Sequence, residues 1–237
     1  MLENNSNGRS LNEIENKKVV GLKGMAYKDY VAARLLLQND MLHQAAFLIN
    51  TCIEKELKAY LFASGISVKR NHDTEKLIDR VSQIESVNWV GDINLDFIKV
   101  INKIYESRYF ETLEPGYNFV INRNKFLAEL DYTYSLLHSK SFKVDRQQNP
   151  IKSMYQISVE NKDPLVYKNN YVLINRPKEE LLDKRDLVHE FRVTEENGII
   201  EMIYSITKNE DYKKFNYEGL KQINDKQFTM SQTSENP

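Results

Sequence analysis

Cysteine is almost absent from this chain, since Cys52 is the only one among its 237 residues. A lone thiol cannot form an intramolecular disulfide, and it excludes zinc sites made of several cysteines. Because disulfides are rare in reducing compartments, the composition favours a cytoplasmic location. We interpret Cys52 as a small apolar residue within a helix and not as a nucleophile.

Long apolar runs are also absent, and neither sign of charge is in excess. No segment approaches the roughly 18 consecutive apolar residues that indicate a membrane-spanning helix, so we expect no membrane partner. Lysine and arginine number 33 against 34 aspartates and glutamates, which leaves a net charge of -1. No overall field draws such a molecule toward nucleic acid, so any site for a polyanion must be a local patch.

Several catalytic motifs are missing as well. The sequence has no GxxxxGK[ST], GxGxxG, GxSxG or HExxH motif, and no Glu-x-x-His pair of the di-iron type. Their absence removes support for the usual routes of nucleotide hydrolysis and for metalloprotease activity. His189 has no second ligand at metal spacing, so we predict no metal and no cofactor.

Amphipathic segments dominate the first part of the chain. Apolar side chains at spacings of three and four predict helices over residues 27–38, 42–63, 73–84, 94–109 and 124–137. Asp73 and Asn94 are residue types that cap helix N-termini, and Gly65 is suited to end the second helix. The short connections predict an up-and-down bundle over residues 24–142, after a polar lead at residues 1–23.

The composition changes at residues 143–153, which are polar, basic and contain a proline, and we interpret them as a linker. Beyond it, β-branched and aromatic residues predict strands over residues 154–160, 171–175, 187–195 and 199–207. Asn197-Gly198 predicts a hairpin turn between the last two. The predicted class is α+β, with a helical bundle followed by a small, mainly antiparallel β module at 154–224 and a disordered tail at 225–237.

Three short motifs follow one another in the helical half. They are Glu54 with Lys58-Ala59 in the second helix, His72-Asp73 with Leu77 at the third, and Arg108-Tyr109 at the end of the fourth. Their order and placement resemble the HEPN (higher eukaryotes and prokaryotes nucleotide-binding) domain family over residues 25–142. The resemblance implies a five-helix bundle that commonly forms a homodimer and, in many members, binds or cleaves RNA.

The resemblance also implies a criterion for catalysis. Many members carry an Arg-x(4–6)-His motif, in which the arginine holds a phosphate and the histidine moves a proton. Neither Arg108 nor Arg123 is followed by a histidine at that spacing. The departure favours a non-catalytic, nucleotide- or RNA-associated binding or regulatory protein. The alternatives are a divergent metal-independent ribonuclease of a bacterial toxin or defence system and a protein-interaction scaffold.

The candidates for contact with a nucleotide or RNA are Arg70, His72, Arg108 and Tyr109. In the ribonuclease alternative, His72 and Arg108 are the catalytic candidates. Each residue also has a structural interpretation: Glu54 and Lys58 as an ion pair, His72 and Asp73 as a helix cap, and Arg108 in contact with helix-terminal carbonyls. For a protein partner, the C-terminal module is the predicted surface.

Overall fold

A computed structural model of the chain describes residues 11–68, 72–140, 145–146, 149–150, 152–196 and 198–207. Its helices are α1 (Glu13–Gln38), α2 (Leu42–Ala63), α3 (Thr74–Ser82), α4 (Leu95–Glu106), α5 (Arg123–Lys140), α6 (Met154–Glu160), α7 (Pro164–Tyr167) and α8 (Glu179–Leu182). Its strands are β1 (Asn118–Asn122), β2 (Asp145–Arg146), β3 (Asn149–Pro150), β4 (Asp186–Thr194) and β5 (Gly198–Ile206). The predicted α+β class is confirmed.

α1 begins at Glu13, well before the predicted start at residue 27. The Asn12 side chain accepts a hydrogen bond from the Glu15 amide, and the Glu15 carboxylate accepts one from the Asn12 amide. This reciprocal capping box defines the start of the helix. Residues 13–26 were not predicted as helix because their sequence is polar and many of their side chains face solvent. Val19, in contrast, is buried against α2.

α2 spans the predicted residues 42–63 and contacts α1, α3, α4 and α5. Besides its apolar stripe it buries the polar side chains of Asn50, Glu54 and Glu56. Buried polar groups need hydrogen-bond partners. The Thr74 hydroxyl donates to the side-chain oxygen of Asn50 at 2.9 Å, which holds the start of α3 against α2.

The predicted caps of α3 and α4 are confirmed. Asp73 accepts a hydrogen bond from the amide of Lys76, and Asn94 accepts bonds from the amides of Asp96 and Phe97. Each cap satisfies amide groups that have no partner within the helix itself. The two helices therefore start where the sequence indicated, and α4 carries its C-terminal end toward the candidate site.

β1, β4 and β5 form an antiparallel sheet in that order. The hairpin of β4 and β5 confirms the prediction, and Gly198 adopts a left-handed φ of +64° at the start of β5. β1 was not predicted, because its five residues follow a turn at Gly116 and are too few for a clear pattern. Phe119 of β1 stacks on Phe191 of β4 with ring centroids 4.9 Å apart, and both rings belong to the main apolar core.

Two of the predicted strands are wrong. Residues 154–160 form α6, because Ser153 and Gln156 make a capping box and Tyr155 turns inward to the core. Residues 171–175 form turns, and Asn175 adopts a left-handed φ of +51° that a strand does not allow. β-branched and aromatic residues occur in buried helices and turns as well as in strands. Their presence in these two segments was therefore not sufficient to predict strands.

Two further predictions concern segments that the structure covers only partly or not at all. The predicted linker at 143–153 includes β2 and β3, but several of its residues lie outside the described ranges. The predicted tail at 225–237 lies wholly outside the described residues.

A buried polar network holds the segment around α7 against the bundle. Arg34 of α1 is fully buried, forms an ion pair with the equally buried Asp131 of α5, and donates from Nε to the backbone oxygen of Leu165 at 3.0 Å. The Tyr30 hydroxyl donates to the same Asp131 carboxylate at 2.8 Å, and Asn170 donates to that hydroxyl at 3.1 Å. Because charges so deeply buried must be paired, this network fixes α1, α5 and the α7 segment together.

Candidate functional site

The candidate site forms where α4 ends and the chain turns toward β1. The residues Ser107–Thr112 make a 3₁₀ turn that is interrupted at Tyr109, whose φ of -109° and ψ of 57° are not helical. α4 itself ends at Glu106, and the kink interrupts the 3₁₀ turn directly after Arg108. As a result Tyr109 projects outward with 60% of its surface exposed, although Tyr105 one turn earlier is buried at 6% exposure.

Arg108 is held by the tyrosine three residues before it. Its guanidinium carbon lies 3.2 Å from the centroid of the Tyr105 ring, and its Nε donates to the backbone oxygen of Tyr105 at 3.0 Å. The Tyr109 ring lies 5.4 Å from the same guanidinium. Stacking on an aromatic face and one fixed hydrogen bond reduce the rotamer freedom that the arginine would lose on binding an anion.

A second pair of side chains lies close to Tyr105. Glu54 of α2 is buried and forms an ion pair with Lys58 one helical turn later. Its second carboxylate oxygen lies 3.1 Å from Nδ1 of His72, whose side chain is 64% exposed. A carboxylate at Nδ1 orients the imidazole, so Nε2 is the ring nitrogen on the side away from Glu54.

Tyr105 connects these two groups. Its ring centroid lies 5.9 Å from that of His72, while Arg108 lies over the same ring. Burial raises the pKa of the Tyr105 hydroxyl, an effect that the Arg108 charge partly opposes. The phenol therefore stays neutral and acts as a platform, and the structure brings the predicted residues His72, Arg108 and Tyr109 into one surface region.

A groove of about 460 Å³ opens beside Arg108. Its lining residues are Tyr105, Glu106, Arg108, Tyr109, Leu113, Glu114 and Tyr117. The volume falls within the range typical of small-molecule sites. Partial burial raises the pKa of the Glu106 carboxyl, Lys103 opposes this shift, and the nearby Asp73 and Glu75 reinforce it. The groove thus combines aromatic faces with one guanidinium and two carboxyl groups.

The other predicted site residues have different outcomes. Arg70 lies outside the described residues. Asp73 caps α3 and also forms an ion pair with Lys76 at 2.8 Å, which agrees with its structural interpretation. The contact of Arg108 with a helix-terminal carbonyl is present through Tyr105, together with its position in the groove.

Tyr105 lies in the fourth predicted helix, whose apolar residues were expected to face the core, and neither it nor Glu106 or Glu114 was a predicted site residue. Tyr105 is indeed buried, but one of its faces carries Arg108. The spacing of three residues between them was the available signal, because side chains at that spacing are neighbours on a helix. The two carboxylates are only two and six residues from Arg108, but the interrupted turn at residues 107–112 that places them in one lining has no clear sequence pattern.

A further titratable cluster joins the start of α2 to the sheet. The rings of His43 and His189 meet edge to face with centroids 5.7 Å apart, and His43 Nε2 lies 2.8 Å from the Ser107 hydroxyl. Nε2 of His189 lies 3.5 Å from a carboxylate oxygen of Glu201 on β5. Burial and the neighbouring His189 lower the pKa of His43 to about 4, against a smaller opposing effect of Glu201.

Neither a metal cluster nor a membrane span is found in the described part of the chain. Over those ranges no group of three or more His, Cys, Asp and Glu side chains is placed to hold an ion. Their helices also fall short of the length and apolar character that crossing a bilayer requires.

The fold and the groove define a helical-bundle protein with an arginine-bearing surface groove. Residues 20–136 match the family model of the HEPN domain. The chain therefore contains a HEPN domain, and the resemblance inferred over residues 25–142 is confirmed. HEPN is a family associated with nucleotide binding and ribonucleases. No curated protein and no solved structure matches the chain.

The HEPN domain ends before the sheet is complete. β1 lies inside the matched residues, whereas its partner β4 and the edge strand β5 lie beyond them. Residues that follow the domain thus pack against a strand that belongs to it.

Proposed function

We propose that this protein binds a nucleotide, or a single unpaired nucleotide of an RNA strand, in the groove beside Arg108, and acts as a binding or regulatory protein without catalysis. The observation that carries the proposal is the stacked, hydrogen-bonded guanidinium of Arg108 at the wall of a groove lined by three tyrosines. Guanidinium groups bind phosphate oxygens with charge-assisted hydrogen bonds, and tyrosine faces stack on bases.

The charges of the groove favour a single nucleotide over a continuous phosphate backbone. Arg108 shares the lining of the groove with two carboxylates, those of Glu106 and Glu114. One guanidinium can neutralise about one phosphate group, whereas carboxylates repel further phosphates and accept hydrogen bonds from base amino groups. A phosphate group bound by Arg108 uses the one guanidinium. A base stacked on Tyr109 can then donate hydrogen bonds from its amino groups to the carboxylates.

Calorimetric titration and thermal unfolding test the proposal with the four ribonucleoside 5′-monophosphates and a short single-stranded RNA. Saturable binding that raises the melting temperature is expected, because a ligand that binds only the folded state stabilises it. Arg108→Ala should weaken binding at least about tenfold, since a charge-assisted hydrogen bond contributes about 1.5–3 kcal/mol. Arg176→Ala is the matched control, because Arg176 is exposed and pairs only locally with Glu180. A wild-type protein that binds none of these ligands would refute the proposal.

The salt dependence of RNA binding separates one phosphate contact from many. For a single contact, log K should fall with log salt concentration with a slope of about -0.7, whereas a backbone tract gives a several-fold steeper slope. A steep slope that Arg108→Ala leaves unchanged would place the RNA on another surface.

A divergent metal-independent ribonuclease is the second candidate function, because Glu54 orients His72 on the same Tyr105 platform that carries Arg108. In such a reaction the ribose 2′-hydroxyl attacks the adjacent phosphorus and the 5′-oxygen leaves, giving a 2′,3′-cyclic phosphate. His72 would transfer the proton and Arg108 would hold the phosphate.

Incubation with single-stranded RNA in the presence of a chelator tests this second function. Cleavage that is lost in both His72→Ala and Arg108→Ala would support it and would overturn a purely binding role. Cleavage that persists in both variants would point to a contaminating nuclease, and intact RNA would exclude this second function.

A further inference from the structure

Hydrogen-bond acceptors without partners line the groove beside Arg108. Glu106 and Glu114 both belong to the lining, and neither carboxylate forms a hydrogen bond or an ion pair among the residues that the structure describes. An ionised carboxylate only accepts hydrogen bonds and has two oxygens with which to do so. A ligand of the groove therefore meets one guanidinium and, beside it, groups that require donors.

Glu114 is the better anchored of the two glutamates. It lies in a turn in which its backbone oxygen accepts a hydrogen bond from the Tyr117 amide at 3.1 Å. Two more backbone bonds attach this turn to β4, from the Gly116 amide to Val193 and from the Val193 amide to Tyr117, each at 2.8 Å. A side chain on an anchored backbone loses less freedom on binding a ligand than one on a mobile loop.

Glu106 differs from Glu114 in having a cation nearby. Burial raises the pKa of the Glu106 carboxyl, and Lys103, three residues earlier on α4, opposes this rise. The charge of Glu106 is thus partly compensated within the protein. No cationic side chain pairs with Glu114 in the described ranges, so its carboxylate is the one that a ligand can use fully.

The stacking surface of the groove is the ring of Tyr109. The ring of Tyr105 carries Arg108, and the Lys103 ammonium lies 5.0 Å from the centroid of the Tyr117 ring. Tyr109 is the most exposed of the three tyrosines. A base stacked on Tyr109 lies in the same groove as the Glu114 carboxylate.

We propose that the groove selects guanine nucleotides and that Glu114 recognises the base. This inference rests on the nucleotide binding proposed above. The Watson–Crick edge of guanine presents two adjacent donors, N1–H and the N2 amino group, which point in the same direction. A carboxylate accepts such a pair with both oxygens, as it does from an arginine side chain. Arg108 then binds the phosphate and Tyr109 stacks on the base.

The other common bases match a carboxylate less well. Adenine and cytosine each present one amino group beside a ring nitrogen that is itself an acceptor and repels the second carboxylate oxygen. Uracil presents only N3–H, between two carbonyl oxygens. Unpaired or opposed acceptors weaken binding, so guanine is the one of the four bases that uses both oxygens of Glu114.

Inosine 5′-monophosphate isolates the decisive contact, because it differs from guanosine 5′-monophosphate only in lacking the N2 amino group. Calorimetric titration of the wild-type protein should give the tightest binding for the guanine nucleotide. The inosine nucleotide should bind at least about tenfold more weakly, since one hydrogen bond to a charged group is lost. The adenine, cytosine and uracil nucleotides should also bind more weakly than the guanine nucleotide.

Glu114→Gln tests the residue itself. The glutamine side chain keeps the size of glutamate but presents a donor in place of one acceptor. The affinity for the guanine nucleotide should fall at least about tenfold, and its advantage over the inosine nucleotide should disappear. Glu180→Gln is the matched control, because Glu180 is exposed, pairs with Arg176 and lies outside the lining, and it should keep the wild-type preference.

The possible failures of this experiment are distinguishable. Equal binding of all five nucleotides, weakened throughout by Arg108→Ala, would exclude guanine selection and leave the proposed nucleotide binding intact. A guanine preference that persists in Glu114→Gln would exclude Glu114 as the residue that recognises the base. Binding of none of the nucleotides would refute the proposed function and this inference together.

Discussion

Two arginines of this protein show how burial decides the role of an ionic side chain. Arg34 is fully buried, pairs with Asp131 and donates to the backbone oxygens of Leu165 and Lys168. Arg108 is exposed, stacks on Tyr105 and lines a groove. The donors of Arg34 are used within the protein, whereas Arg108 is oriented toward a space that a ligand can enter. The first arrangement serves stability, and the second can serve binding.

The largest expected effect is on the buried pair. Arg34→Met leaves the Asp131 carboxylate buried without its cation, and breaking one half of a buried ion pair costs about 3–5 kcal/mol. Urea unfolding followed by circular dichroism should show a fall of that size in the free energy of unfolding, or a chain that does not fold.

The double variant Arg34→Met/Asp131→Leu sharpens this prediction. It buries no unpaired charge, so it should recover part of the stability that the single variant loses. A double variant less stable than Arg34→Met would show that the hydrogen bonds of the network, and not the charges, dominate.

An intermediate effect is expected from acid, through the histidines between α2 and the sheet. The pKa of His43 is lowered to about 4 by burial and by His189, and burial lowers the pKa of His189 in spite of Glu201. In the unfolded chain histidine titrates near about 6.5, so the unfolded state binds more protons as the pH falls below that value. Stability should therefore decrease from about pH 6.5 toward pH 4.

Urea unfolding across that pH range measures this loss. His43→Gln should reduce the slope of stability against pH by at most about 1.4 kcal/mol per pH unit, the value for one proton. Some slope should remain, because burial also lowers the pKa of His138 to about 4. Arg176→Ala is the control, because it changes no histidine and lies on the surface, and it should keep the wild-type slope. A His43→Gln profile identical to wild type would rule out this cluster as an acid-sensitive element.

The smallest effect on stability is expected at the groove. Arg108→Ala removes a cation–π contact at the surface, and such contacts contribute about 0.5–1 kcal/mol. The free energy of unfolding should fall by no more than that, although the affinity for a nucleotide falls at least tenfold in the titration described above. A loss of stability as large as that of Arg34→Met would make Arg108 a structural residue and remove the contrast between the two arginines.

Local signals account for the parts of the fold that were predicted well. α2 matches its predicted bounds because its apolar stripe is long and regular, and Asp73 and Asn94 cap α3 and α4 as their side-chain chemistry requires. The same signals failed at residues 154–160, where β-branched and aromatic residues lie in α6. That segment is short, and a capping box at Ser153 together with packing on the core decides its structure.

The site was predicted only in part, for a similar reason. His72, Arg108 and Tyr109 were identified from short motifs, but the sequence separation between His72 and Arg108 gave no measure of their distance in space. Tyr105 supplies the link, since its ring lies 5.9 Å from the His72 ring and also carries the Arg108 guanidinium.

The sequence by itself determined the helical bundle, its caps, the final hairpin and the HEPN character of the first half, because each depends on residues close together in the chain. Only the tertiary structure decided that β1 joins β4, that Arg34 meets Asp131, and that the His72 ring lies beside the ring of Tyr105. Those contacts link residues far apart in sequence, and their free energies come from burial and from charges brought close together, which no local pattern records.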